Sequence, residues 1–238
     1  MADYTDYDAM VAALRGIDRL LFVSISNPAA QQVVINAAKA AGVQFIAYTS
    51  IADPQYNKFG LQDNHHQTEV AIAASGIAHT FLRNGWYLEL MQDYLAAAAK
   101  NNTAPYFATH GQIAWALKRE YAEAGARVIA TATTLEVVTL TGEPITYQQL
   151  AEATSTAVGR DLQSTAVSRK EFTHIMAQWD ISEQGAMLAT SYQDYTLQGN
   201  NGEASLSPIT FEKNSRPSAD PNCGRHQGIA AIVVNQSN

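Results

Sequence analysis

The chain has 238 residues, 47% of them hydrophobic and 16% charged, enough for one domain, or one domain and a small lobe, around a full core. Its 22 acidic and 15 basic residues leave a formal charge of −7, which opposes phosphate and excludes a general nucleic-acid binder. The single cysteine, Cys223, excludes an intrachain disulfide and a cysteine-held metal, and no apolar run nears the roughly 18 residues of a membrane-spanning helix.

The N-terminus, MADYTDYDAM, is acidic and lacks the basic-then-apolar layout of a secretion signal, so a cytoplasmic protein without a membrane partner is expected. Asp6 to Leu14 carries Met10, Val11 and Leu14 on one helical face and closes at Gly16. Arg19 to Ser26 (RLLFVSIS) is a continuous apolar run, the pattern of a strand buried on both faces. Asn27-Pro28 marks a break, and Gln31 to Ala41 is a helix that stops at Gly42. Phe45 to Ser50 is the next strand. Strand, helix and strand form the crossover unit of a parallel sheet. A polar loop leads to a helix over Thr68 to Ser75 with Gly76 as its stop, then to a third strand, His79 to Leu82. The repeated unit sets the class as α/β. In an open parallel sheet, ligands bind beyond the carboxyl ends of the strands. That rule places Tyr48-Thr49-Ser50 and Asn84-Gly85-Trp86-Tyr87 at the functional edge.

An alanine-rich helix runs to about Lys100 and is ended by Asn101-Asn102-Thr103-Ala104-Pro105. Ile113 to Leu117 reads as a short strand, Glu120 to Ala130 as a helix, Glu136 to Leu140 as a strand, and Thr141-Gly142-Glu143-Pro144 as a turn. Thr146 caps a helix to about Val158, Ser168 caps another that holds Phe172, Ile175 and Met176, and Ser182 to Tyr195 is helical. Thr165 to Val167 is too short to assign. The polar, Gly-, Pro-, Ser- and Asn-rich stretch 199–238 predicts a poorly ordered tail behind a globular 1–198, with Ile229 to Val234 able to pair onto a sheet edge.

The segments VVINAAKAAGVQFIAYTS, NHHQTE, ASGI, FLRNGWY, REYAEAGARVI and VVTLTGEPITYQQLAE form one ordered set. Over Ala2 to Tyr195 it resembles the NmrA-like atypical short-chain dehydrogenases/reductases, closest to the type 2 NAD(P)H:quinone oxidoreductases, with triphenylmethane reductases nearby. The resemblance implies an NAD(P)-binding, Rossmann-like doubly wound parallel sheet with a small C-terminal lobe. It implies NADPH as cofactor and direct hydride transfer to a quinone or a similar conjugated acceptor, with no flavin required. The same fold also serves non-catalytic dinucleotide-sensing regulators, and an inactive remnant is a third reading.

Two departures stand out. The family opens with a strand, a G-x-x-G-x-x-G turn and a helix that bring backbone to the cofactor diphosphate. This chain starts at the family's Asp3-Tyr4 segment and holds no such triplet, so the first βαβ unit is expected to be missing. That loss predicts an exposed apolar edge on the Arg19–Ser26 strand and weakened cofactor binding. After Phe211-Glu212-Lys213 the family's tail gives way to NSRPSADPNCGRHQGIAAIVV, which suggests a shifted reading frame.

By the resemblance, Asn84, Gly85, Trp86 and Tyr87 line the nicotinamide and acceptor pocket. Asn84 hydrogen-bonds an amide or ribose, and Trp86 or Tyr87 supplies a flat wall, because hydride transfer needs positioning more than an acid or base. A tight turn with packed aromatics is the alternative. Tyr48 does not belong to a Tyr-x-x-x-Lys pair, since position 52 is Ala. It stands equally as a strand-end aromatic or a cofactor contact, and no catalytic residue is assigned. Ser24 ends the first strand, where such a sheet approaches the adenine ribose, or is an ordinary strand-end hydroxyl. His65 is placed near the cofactor as a hydrogen-bond donor, or is a helix-start histidine facing solvent; with His66 it lacks ligand spacing, so no metal is expected. Lys118 replaces a family arginine before its helix, keeping the charge and losing the planar fork.

Overall fold

The Asp6 carboxylate accepts the Ala9 N–H (3.0 Å) and caps α1, Tyr7–Leu14, in the computed structural model, which describes residues 2–131 and 135–206. β1 (Arg19–Phe22), α2 (Pro28–Ala41), β2 (Phe45–Ile51), α3 (Leu61–Ser75) and β3 (Ala78–Asn84) follow. Then come β4 (Trp86–Tyr87), a 3₁₀ turn over Leu88–Met91, α4 (Gln92–Asn101), β5 (Thr103–Tyr106), β6 (Ile113–Ala116), α5 (Lys118–Ala130), β7 (Val137–Leu140) and β8 (Pro144–Ile145). Last are α6 (Tyr147–Val158), β9 (Gln163–Ala166), α7 (Arg169–Gln178), α8 (Glu183–Leu197) and a 3₁₀ turn at Glu203–Ser205. The described residues group into two compact units. The first runs to Gly85 and resumes over Arg119–Thr141; the second covers Trp86–Lys118 and resumes at Gly142.

In the first unit, β1, β2, β3 and β7 form a parallel sheet in that order. Side chains alternate between its faces. Phe22, Ile46, Tyr48 and Phe81 point one way and join Val34, Ile35, Ala38 and Ile72 of α2 and α3 in one core. On the opposite face α5 comes close at Gly125, where an added Cβ would sit 3.4 Å from a Leu21 methyl and 3.5 Å from a Leu82 methyl. Helices on both faces of a parallel sheet are the expected α/β architecture.

Three expectations change. β1 ends at Phe22 rather than Ser26, and it is half-buried rather than buried on both faces, because among the described residues it pairs with β2 alone. Val23 and Ile25 beyond it are 55% and 39% exposed. α2 begins at Pro28: Asn27 accepts the Ala30 N–H (3.1 Å) as N-cap and the proline takes the first turn, so Asn-Pro starts a helix rather than breaking the chain. α3 begins at Leu61 rather than Thr68, so His65 sits inside the helix. Gly42 and Gly76 stop α2 and α3 in the left-handed region, at φ 83° and 77°, as expected.

In the second unit, β4, β6 and β8 form one sheet, with β4 parallel and β8 antiparallel to β6, and β5 pairs with β9. β5 occupies the Thr-Ala-Pro that reads as a helix stop, directly after Asn102 ends α4 at φ 52°. The unassigned stretch near Thr165 is β9. Structure continues past Gly199: Asn201, Glu203 and Leu206 are buried. Residues 207–238, with Cys223, the Ile229 to Val234 run and the suspected frameshift, lie outside the described residues. No helix among the described residues is long and apolar enough to cross a membrane.

Candidate functional site

The carboxyl ends of β1 and β2 carry a hydrogen-bonded polar cluster. The Ser24 N–H donates to Thr49 Oγ1 (2.8 Å), and Thr49 Oγ1 donates to Ser24 Oγ (3.2 Å), which ties the two strand ends together. Tyr48 is fully buried, and its hydroxyl donates to Gln31 Oε1 (3.1 Å) and lies 3.2 Å from His65 Nδ1. Burial pushes the Tyr48 phenol up to about 12, against hydrogen bonds that favour its anion. Burial pulls the His65 imidazole down to about 4, against the raising influence of the Glu69 charge. Tyr48 and His65 are therefore both neutral at pH 7. His66 is exposed, so the two histidines diverge, and no group of three or more metal-ligating side chains occurs among the described residues.

Sequence reasoning missed Gln31, Thr68, Glu69 and Arg83. Gln31 is fully buried and Thr68 nearly so, and Gln31 Nε2 donates to Thr68 Oγ1 (2.8 Å) and to Asn64 Oδ1 (3.0 Å). Gln31 lies one turn before Val34, on the helix face that the apolar residues occupy; a polar residue in that stripe is the available signal. Glu69 accepts from Arg83 Nε (3.0 Å), from Arg83 Nη2 (2.7 Å) and from Ser50 (2.6 Å). This forked pair raises the Arg83 guanidinium further and ties α3 to β2 and β3.

Asn84 is the last residue of β3 and 4% exposed. Its backbone carbonyl accepts the Ala52 N–H (2.8 Å), whereas its side-chain Oδ1 is buried and has no hydrogen-bond partner among the described residues. The Gly85 N–H donates to the Leu140 carbonyl (2.8 Å), holding the exit of β3 against β7. Ser24, Tyr48, His65, Asn84 and Gly85 thus all belong to the first unit. A groove of about 240 Å³ between α2 and α3, lined by Pro28, Gln32, Gln67, Thr68 and Ala71, includes none of them.

The second unit opens at Trp86 and Tyr87 and holds Lys118. Trp86 is buried edge-on against Tyr192 and Tyr195 (ring centroids 5.1 and 5.5 Å), and its Nε1 donates to Glu203 Oε1 (2.9 Å). Its indole is packed inside the unit. Burial, and then the Glu203 charge, raise the Tyr192 and Tyr195 phenols. Tyr87 is half-buried, with Lys118 Nζ 5.7 Å from its ring centroid, within cation–π reach. Lys118 is exposed, and its backbone N–H donates to the Glu89 carboxylate (2.9 and 3.2 Å) where α5 starts.

A parallel sheet with helices on both faces and a polar cluster at its strand exits defines a Rossmann-like α/β protein. The chain belongs to the NmrA-like family, whose model matches residues 1–215. It is 40% identical over 178 residues to Quinone oxidoreductase 2 of Escherichia coli (strain K12), covering 64% of this chain and 61% of that protein. An NmrA-like family domain-containing oxidoreductase of Aspergillus flavus is 28% identical over 183 residues, covering 71% and 59%. The chain thus spans about three fifths of the length of the curated relatives it matches. The solved NADPH-dependent quinone oxidoreductase of Escherichia coli complexed with NADPH aligns with a TM-score of 0.75 at 32% identity, over 100% of this chain and 83% of that one. Triphenylmethane reductase of Citrobacter sp. complexed with NADP(H) gives 0.79 at 25%, over 98% and 81%.

Proposed function

We propose that this chain carries the nicotinamide and ribose end of an NADPH site, in an oxidoreductase that reduces quinones or similar flat conjugated acceptors. Asn84 Oδ1 carries the reading: at the carboxyl end of a parallel strand, it is a buried acceptor without a partner among the described residues. Such an atom forfeits about 1–3 kcal/mol. A carboxamide N–H or a ribose hydroxyl would return it. The family, and the NADPH and NADP(H) complexes of two related structures, support that choice of ligand. The diphosphate differs. No G-x-x-G-x-x-G triplet occurs in the sequence, so the residues present fit the nicotinamide end and offer no glycine-rich cradle for phosphate.

The bound dinucleotide would supply the hydride. In the first unit, Asn84 accepts an amide or hydroxyl proton and so orients the ring, with Ser24, Tyr48 and His65 as the polar surround. Within the second unit, taken by itself, Tyr87 presents an aromatic face of the kind a flat conjugated molecule stacks on, with the Lys118 ammonium 5.7 Å from its ring centroid. Hydride transfer then depends on positioning.

The test is a fluorescence titration of the 238-residue chain and of Asn84→Leu with NADPH, followed by menadione-dependent NADPH oxidation. Saturation in the micromolar range, weakened about tenfold by the substitution, and menadione turnover are expected. No saturation up to millimolar NADPH refutes the site.

A further inference from the structure

The backbone of Ile25 sets the direction of a hydrogen-bond chain that ends on His65. The Ile25 N–H donates to the Gln31 side chain (3.1 Å), so the atom it meets is the amide oxygen. The Ile25 carbonyl accepts from Asn64 (2.9 Å), so that atom is amide nitrogen, and Asn64 turns its oxygen to Gln31 Nε2 (3.0 Å). Gln31 Nε2 also donates to Thr68 Oγ1 (2.8 Å), whose own proton goes to the Asn64 carbonyl (3.0 Å). Gln31 Oε1 can only accept, so the Tyr48 hydroxyl donates to it (3.1 Å). A phenol has one proton. With that proton committed, the 3.2 Å contact between the Tyr48 oxygen and His65 Nδ1 runs from ring N–H to oxygen. His65 is held as the Nδ1–H tautomer, and burial opposes a second proton. Its Nε2 keeps a lone pair, and the half-buried ring makes no further hydrogen bond among the described residues.

We propose that His65 Nε2 is a hydrogen-bond acceptor for a hydroxyl-bearing ligand, with Tyr48 as the positioning residue that sets the tautomer. The inference rests on the oxidoreductase reading for its natural ligand, since a ribose of the dinucleotide and the hydroquinone product both present such a hydroxyl. It reverses the donor role expected from the sequence. Donation from Nε2 would place the Nδ1 lone pair against the oxygen lone pairs of Tyr48.

Long-range ¹H–¹⁵N spectra of uniformly labelled protein at neutral pH test this directly, because protonated and bare ring nitrogens resonate far apart. Wild type should show a protonated Nδ1 and a bare Nε2 at His65. Tyr48→Phe should release a mixture of tautomers while the other histidine signals stay in place. NADP⁺, or a water-soluble hydroquinone under argon, should move the Nε2 signal toward the hydrogen-bonded range. His65→Phe should weaken binding of the active probe about fivefold. A protonated Nε2 in wild type overturns the inference, and so does an Nε2 signal that neither probe moves. If NADP⁺ shifts the Asn84 side-chain amide and neither probe moves His65, this inference fails and the dinucleotide reading stands. If NADP⁺ shifts nothing and the hydroquinone moves Nε2, the reverse holds.

Discussion

Glu203→Ala should destabilise the second unit by about 4 kcal/mol. The carboxylate is 1% exposed and accepts from Trp86 Nε1 (2.9 Å), the Tyr195 hydroxyl (2.7 Å) and the Ala114 N–H (2.9 Å). Truncation removes the carboxylate that accepts the Trp86 and Ala114 N–H groups in a buried site. The Tyr195 hydroxyl retains a 3.3 Å contact with the Asn201 carbonyl. Each lost bond to the carboxylate costs about 1–3 kcal/mol, and the void left by the side chain adds roughly 1 more. Glu203→Gln keeps the shape but turns an NH₂ toward one of the donors, for a loss of about 2 kcal/mol. The chain's 3 tryptophans, Trp86, Trp115 and Trp179, all lie in the second unit, so urea unfolding followed by tryptophan fluorescence reads that unit. At an m-value of about 1.5 kcal/mol/M, the alanine variant moves the midpoint down by roughly 2–3 M. A chain cut after Gln198 should fare no better, since it loses the same carboxylate. A shift for Glu203→Ala no larger than that of the exposed Glu152→Ala, within about 0.5 kcal/mol, would refute the anchoring argument.

The first unit carries three further predictions. The His65 pKa lies near 4 in the fold against 6.5 ordinarily, so the unfolded chain takes up the proton first. Stability is whole above about pH 6.5 and falls as pH drops toward 4, by roughly 3 kcal/mol from this group; His65→Gln should flatten that part of the midpoint-versus-pH curve, read by circular dichroism in urea. Arg83→Met leaves the buried Glu69 carboxylate with the Ser50 hydroxyl as its hydrogen-bond donor and should cost about 2–3 kcal/mol, whereas adding Glu69→Leu should recover most of the loss in the same urea assay. Asn84→Leu removes a buried oxygen without a partner, so it should raise thermal stability by up to about 1 kcal/mol while NADPH affinity falls; a destabilised variant would show that the amide serves the fold.

The sheet was legible because its signals are apolar and local. β2 and β3 are runs of buried residues, and Gly42 and Gly76 stop α2 and α3 where the sequence places them. Periodicity failed where polar residues face inward. The first turns of α3 hold Gln62, Asn64 and His65, which form no apolar stripe, so the helix reads as starting at Thr68. In the fold, Asn64 and His65 meet Ile25, Gln31 and Tyr48, partners that only the tertiary structure brings together. β1 misled for a different reason: RLLFVSIS has the composition of a central strand, yet its place at the sheet's edge leaves Val23 and Ile25 exposed. Glu203 lay in a stretch whose glycines and asparagines suggest disorder, and no local pattern shows that a carboxylate there meets Trp86 and Ala114.

The polar groups of the first unit also constrain what can bind there. Around Gln31, Asn64, Thr68 and Tyr48 the hydrogen bonds run in one consistent direction, and they leave a lone pair on His65 Nε2. At the end of β3, Asn84 leaves Oδ1. Both of these atoms are acceptors, and the Asn84 amide also carries an NH₂ that can donate. A ligand that satisfies them must bring N–H or O–H groups, as a carboxamide and a sugar hydroxyl do. A phosphate brings only acceptors at neutral pH and would face two more, in a chain of net charge −7. Under the proposed function, these two acceptors are where the carboxamide and a ribose hydroxyl of the dinucleotide would donate.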